Sequence, residues 1–112
     1  MKEVVWHGTS KADIKKFPKK VLLQLGTEIL ALQTNRNVTK VSALITVGKG
    51  VREIGINFNH GWYRFVFTMN LDNRLHILHC FRKKTNATEK KDIDLARQRL
   101  KQAAASIRRR AS

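Results

Sequence analysis

Between Val51 and Lys84 apolar residues return at every second position, in three runs separated by two tight turns. That period belongs to pleated strands and not to helices. In the first run Ile54, Ile56 and Phe58 alternate with Glu53, Gly55 and Asn57, and Asn59-His60-Gly61 supplies a turn. In the second, Tyr63, Phe65, Phe67 and Met69 share one face, while Trp62, Arg64, Val66 and Thr68 share the other. Leu71-Asp72-Asn73 makes the next turn, and Arg74 to Lys84 reads as the last strand. Turns this short join antiparallel neighbours, so the chain is committed to a sheet with a core face and a wetter face.

The remaining segments supply what covers that sheet. Glu3 to Trp6 reads as a short strand. Ser10 followed by Asp13 resembles a capping box, opening a brief helix that ends near Phe17. Pro18 suits the first turn of a second helix, whose apolar face is Val21, Leu22, Leu25, Ile29 and Leu32. Gly26 weakens that helix by about 1 kcal/mol relative to alanine. Asn35 to Gly50 reads as an irregular connection pinned to the core. A final helix starts near Thr88 as N-cap, with Glu89 and Asp92 at its positive end and a stripe of Ile93, Ala96, Leu100, Ala103 and Ile107. The order β-α-α-β-β-β-α predicts one α+β domain over residues 1–112.

Charge narrows the partners. Lys and Arg number 23 against 8 Asp and Glu, a formal net charge of +15 on 112 residues. Self-repulsion on that scale costs stability unless a polyanion is met. Nucleic acid comes first, an acidic protein second and a membrane surface third. Cys80 is the sole cysteine, which rules out an intrachain disulfide and suits a reducing cytoplasm. No run approaches the ~18 apolar residues of a membrane span, and the N-terminus lacks the apolar core of a signal peptide. A cytoplasmic location is expected.

Several residues carry candidate chemistry, each beside a plainer reading. Arg64 sits in a strand among apolar neighbours; its planar fork could grip a phosphate, or it could pair with Glu53 across the hairpin in solvent. Arg82, Lys83 and Lys84 close the last strand as a phosphate-binding or a merely solubilising cluster, with alternation placing Lys83 opposite the other two. Thr85 could add a hydroxyl or cap the turn, and Trp62 could stack a base or cover the sheet. His76 and His79, three apart in a strand, are expected on opposite sides, and a metal site looks poor. His79 reads as a satisfied interior or edge histidine and Cys80 as core. His7 and His60 fall at strand-end or turn positions open to a site histidine.

Four segments resemble a known family: Val51-Arg52-Glu53-Ile54, Tyr63-Arg64-Phe65-Val66-Phe67, Leu78-His79-Cys80-Phe81-Arg82-Lys83-Lys84-Thr85 and Asp92-Ile93-Asp94-Leu95-Ala96-Arg97. With Val5-Trp6-His7-Gly8, their order and spacing resemble the phage-derived HigB-like branch of the RelE toxin superfamily. The resemblance implies a small antiparallel sheet with two N-terminal helices and a C-terminal helix. It implies a type II toxin that cuts messenger RNA in the ribosomal A site without metal or cofactor, silenced by a helix-turn-helix antitoxin. Arg64 would bind the scissile phosphate, with Lys83 and Lys84 as the assisting basic pair. Arg52, Trp62, Arg82, Thr85, Lys90 and Lys91 would contact RNA or ribosome; the general base stays open among His60, His7 and a lysine.

One position departs from the family pattern. Relatives read Glu-Ile-Arg or Glu-Leu-Arg where this chain has Glu53-Ile54-Gly55. A natural variant, an attenuated toxin and a deliberately inactivated one all fit, and Gly55→Arg is expected to raise activity. The alternatives to an enzyme are a non-catalytic RNA- or ribosome-binding module and a toxin-like domain that mainly binds its antitoxin.

Overall fold

A computed structural model describes residues 1–85 and 87–111. The elements are β1 (Val4–Trp6), α1 (Ser10–Ile14), α2 (Lys19–Gln33), β2 (Val41–Ala43), β3 (Val51–Phe58), β4 (Gly61–Thr68), β5 (Leu75–Lys83) and α3 (Lys90–Ala111). The α+β expectation, with two N-terminal helices and one C-terminal helix, is met. The five strands lie in the order β1-β5-β4-β3-β2. Every pairing is antiparallel except β1 with β5, which is parallel, so the sheet is mixed. β2 is an addition: three residues of the connection read as irregular pair with Ile54, Glu53 and Arg52 of β3.

Alternation along β3 and β4 divides the side chains as the sequence demands. Ile54, Ile56, Tyr63, Phe65 and Phe67 pack with Val21, Leu25 and Leu32 of α2 and with Ile14 and Phe17. The opposite face is smaller, with Val51, Val66 and Leu78 packed against Ala96 of α3. Asn59 and His60 both adopt positive φ, 50° and 65°. Two such residues give the hairpin a turn whose twist matches its strands.

Local caps differ from expectation in small, explicable ways. Thr9, not Ser10, precedes α1, and its hydroxyl donates to Asp13 Oδ2 at 2.7 Å. The Ser10 hydroxyl turns inward and donates to the His7 carbonyl at 2.7 Å. α3 begins at Lys90, two residues past Thr88, whose hydroxyl lies 3.5 Å from Glu53 Oε2.

A β-bulge in β5 overturns one parity argument. Val66 of β4 pairs with His79 but Phe67 pairs with Ile77, leaving Leu78 extra. Ile77 and Cys80 consequently face the same core although three apart. His79 meets α3 through Asp92, and His76, the neighbour of Ile77, lies on that side too. The two histidines therefore share a face, because an extra residue shifts strand phase by one.

Candidate functional site

On the α3 side of the sheet, strand pairing sets out a grid around Arg64. Gly55 of β3 stands opposite it on one side and Phe81 of β5 on the other. Along β4 its same-face neighbours are Trp62 and Val66, and the next pairs are Glu53 with Val66 and Trp62 with Lys83. A guanidinium at the middle of a sheet face is a fixed cation on a rigid platform.

Arg64 is not the exposed arginine of the plainer reading. It is 7% exposed, and Nη1 lies 3.2 Å from Glu53 Oε1, itself equally buried. The guanidinium also lies over the Trp62 ring, 5.6 Å from its centroid. The pairing with Glu53 is therefore real and its solvent exposure is not. A charge pair taken out of water is retained only with close geometry, and losing either member strands the other.

Gly55 explains how Arg64 lies flat. A β-carbon built at position 55 would come 2.5 Å from Arg64 Nη1. The glycine thus makes room for the guanidinium to reach Glu53. An arginine at 55 could not coexist with this placement of Arg64, so Gly55→Arg would displace the cation it was expected to assist.

Lys83 and Lys84 part company. Lys84 is exposed beyond the end of β5. The Lys83 side chain is 4% exposed and points at α3, with Nζ 3.2 Å from Asp92 Oδ2 and 3.3 Å from Glu89 Oε1. Asp92 Oδ1 also meets His79 Nε2 at 2.9 Å, and His79 stacks on Phe81. Arg99 lies behind, donating to the Leu78 carbonyl at 3.0 Å and to Thr9 Oγ1 at 3.1 Å. Lys83 is thereby part of the joint between β5 and α3.

The other expected residues scatter. Arg52 lies over Phe67, 5.4 Å from the ring centroid, on the opposite face of the sheet from Arg64. Arg82 also lies on that opposite face, over the Tyr63 ring. Trp62 adjoins Arg64, while Thr85, Lys90 and Lys91 are exposed around the start of α3. His60 is exposed at the hairpin tip.

His7 lies far from Arg64. Its Nε2 is 2.9 Å from His76 Nδ1, and His76 Nε2 is 2.7 Å from Asp72 Oδ1. His76 pairs with Thr68 of β4, four residues from Arg64, or about 13 Å along a strand. No direct proton transfer bridges that gap.

Burial first, then the electrostatic influence of His76, Arg74 and Arg99, lowers the His7 pKa below its ordinary value. Burial lowers that of His79 as well, with Asp92 partly opposing. Both histidines favour the neutral form in the fold. The unfolded chain takes up their protons near pH 6.5, before the folded chain does. Stability conferred by these two groups is full above that pH and is lost as pH falls below it. The urea midpoint is expected to drop between pH 7 and pH 5, and His7→Gln to reduce that drop; an unchanged slope in the variant would contradict the assignment to His7.

Glu53, Asp92 and Arg99 complete the buried ionic framework. Asp92, Ala96, Arg99 and Ala103 are the buried residues of α3, at spacings of four, three and four. That pattern was available in the sequence, but charged members hide it from a search for apolar stripes.

Among the described residues no helix is long and apolar enough to cross a membrane. The family model for "Phage derived protein Gp49-like (DUF891)" matches residues 12–101, from α1 well into α3. None of the curated proteins compared with the chain matches it.

Proposed function

The chain belongs to the Gp49-like family of phage-derived proteins, related to RelE-like toxins, and from that premise we propose that it is the toxin of a type II toxin–antitoxin module. Its activity would be cleavage of messenger RNA in the ribosomal A site, in the cytoplasm. The observation that carries the proposal is Arg64 at the centre of a sheet face, on a chain of charge +15 that also exposes Lys84, Lys90 and Lys91.

In this reading the RNA 2′-hydroxyl attacks the adjacent phosphorus. Its proton leaves to a base, the bond to the 5′-oxygen breaks, and a 2′,3′-cyclic phosphate and a 5′-hydroxyl result. Arg64 releases Glu53 and turns its fork to the phosphate oxygens, stabilising the charge that builds on them. Lys84 takes the assisting role, protonating the leaving oxygen, because Lys83 is engaged with Asp92 and Glu89. The ribosome would hold the message in line, which supplies positioning the small sheet does not. Exposed lysines on α1 and α2 and the basic residues Arg97, Lys101 and Arg108 to Arg110 of α3 would dock on ribosomal RNA. A helix-turn-helix antitoxin would silence the protein.

The test is an in vitro translation reaction with mapping of RNA 5′ ends, with ribosomes present and omitted. Cuts at codon positions only in the translating reaction are expected. Intact message in both would sink the endonuclease reading and favour a second one, a non-catalytic RNA- or ribosome-binding module or inactivated toxin. The buried pairing of Arg64 with Glu53 is the observation that favours this second reading.

A further inference from the structure

On the face of the sheet away from Arg64, a cavity of about 490 Å³ opens between α1, the α1–α2 junction and the ends of β4 and β5. Asp13, Lys16, Phe17, Tyr63, Phe81 and Arg82 contribute to its lining. Its size falls in the range of small-molecule sites. Its walls mix charged and aromatic side chains, with Phe17 edge-on to Tyr63 at 5.0 Å between centroids.

Two exposed cations, Lys16 and Arg82, and one carboxylate, Asp13, stand around it. Among the described residues neither Arg82 nor Lys16 forms an ion pair, and no protein group hydrogen-bonds the Tyr63 hydroxyl. Asp13 lines the same cavity, yet no ion pair joins it to either cation; its Oδ2 accepts from Thr9. Opposite charges contributed by different elements are thus held apart around an aromatic hollow. A ligand with an amino donor on a planar ring and an anionic group elsewhere would complement both.

Arg82 is set for this. Its guanidinium lies 5.9 Å from the Tyr63 centroid. A β-carbon at Gly61 would come 2.6 Å from Arg82 Nε, so the glycine allows the arginine to lie close along β4. A guanidinium plane and aromatic rings are the surfaces on which single-stranded bases stack.

We infer that this cavity is a nucleotide site that prefers guanine. Phe17, Tyr63 and the Arg82 plane receive the base, Asp13 accepts hydrogen bonds from its ring N–H and amino edge, and Arg82 and Lys16 hold the phosphate. Uracil, which has a ring N–H but no exocyclic amino group, meets only one of the two Asp13 oxygens. The inference deepens the endonuclease reading, from which it takes RNA as the source of the nucleotide; a free nucleotide has the same chemistry.

The experiment is titration of the full chain with 5′-GMP, 5′-UMP, guanosine and a short single-stranded RNA containing one guanine, read by NMR shifts of Phe17, Tyr63 and Arg82. GMP is expected to shift these residues, with UMP and guanosine each about tenfold weaker. Asp13→Asn should erase the gap between GMP and UMP, and Arg82→Gln the gap between GMP and guanosine. Tighter binding of the oligomer assigns the site to an RNA strand, and equal binding assigns it to free nucleotide. No shifts at millimolar GMP, or equal affinities for GMP and UMP, overturn the inference. Neither ribosomes nor cleavage enter the readout, so this site and the endonuclease reading can fail separately.

Discussion

Arg64→Ala is expected to remove about 3–5 kcal/mol of folding stability, because it strands the Glu53 carboxylate under the sheet. Glu53 is 7% exposed, and among the described residues its remaining hydrogen-bond partner is the Thr88 hydroxyl at 3.5 Å. The loss should appear as a lowered urea midpoint. Such a variant would fail in a translation assay for the wrong reason, so a second protein is needed. Glu53→Gln combined with Arg64→Met replaces the charge pair by neutral groups of similar volume. Removing both partners of a buried pair costs far less than removing one. The double variant is expected to unfold near the parent's midpoint and to leave messenger RNA uncut. Cleavage at parental rate in that folded protein would remove Arg64 from the proposed chemistry. A single variant within ~1 kcal/mol of the parent would instead show that the pair matters little to the fold.

The sheet was legible because its strands are nearly pure examples of their period. Tyr63, Phe65 and Phe67 could be assigned to one face from alternation alone, and the structure keeps them there. β2 was not legible because three residues with one half-buried side chain carry no period to detect. The parallel placing of β1 was not legible either, since its register with Leu75 to Ile77 depends on a pairing across most of the chain.

The site was readable as a list of residue types and less so as an arrangement. Arg64 stood out because arginine is rare among strand aromatics, and its link to Glu53 followed from the hairpin. Burial of that link did not follow, because it depends on Gly55 leaving space beside Arg64. The bulge at Leu78 was the larger obstacle. A strand counted by twos gives the wrong face beyond any extra residue, and His76 and His79 were separated on paper by that count. The adjacent Lys83 and Lys84 read as one basic pair, although one points into the joint with α3 and the other into solvent.

That division of labour leads to the second large effect. Asp92 receives Lys83 at 3.2 Å and His79 at 2.9 Å, and it sits in the first turn of α3, where a negative charge is favoured. Among the described residues, Asp92→Ala leaves the Lys83 ammonium, 4% exposed, with the more exposed Glu89 at 3.3 Å as its one ion-pair partner. A loss of about 3 kcal/mol is expected, near the lower end for an uncompensated buried charge because Glu89 remains. Lys83→Met keeps an apolar stem and removes the ammonium that lies over the Phe81 ring, while Asp92 retains His79 and the helix end. That variant should lose less, on the order of 1 kcal/mol. The order matters more than either figure: Asp92→Ala must be the worse of the two. Cleavage gives the complementary measurement, since Lys83→Met should still cut in the translation assay while Lys84→Met is expected to lose at least tenfold. A folded Lys83→Met protein that no longer cuts, beside an unaffected Lys84→Met, would return the catalytic role to Lys83 and require its ammonium to leave Asp92 during the reaction.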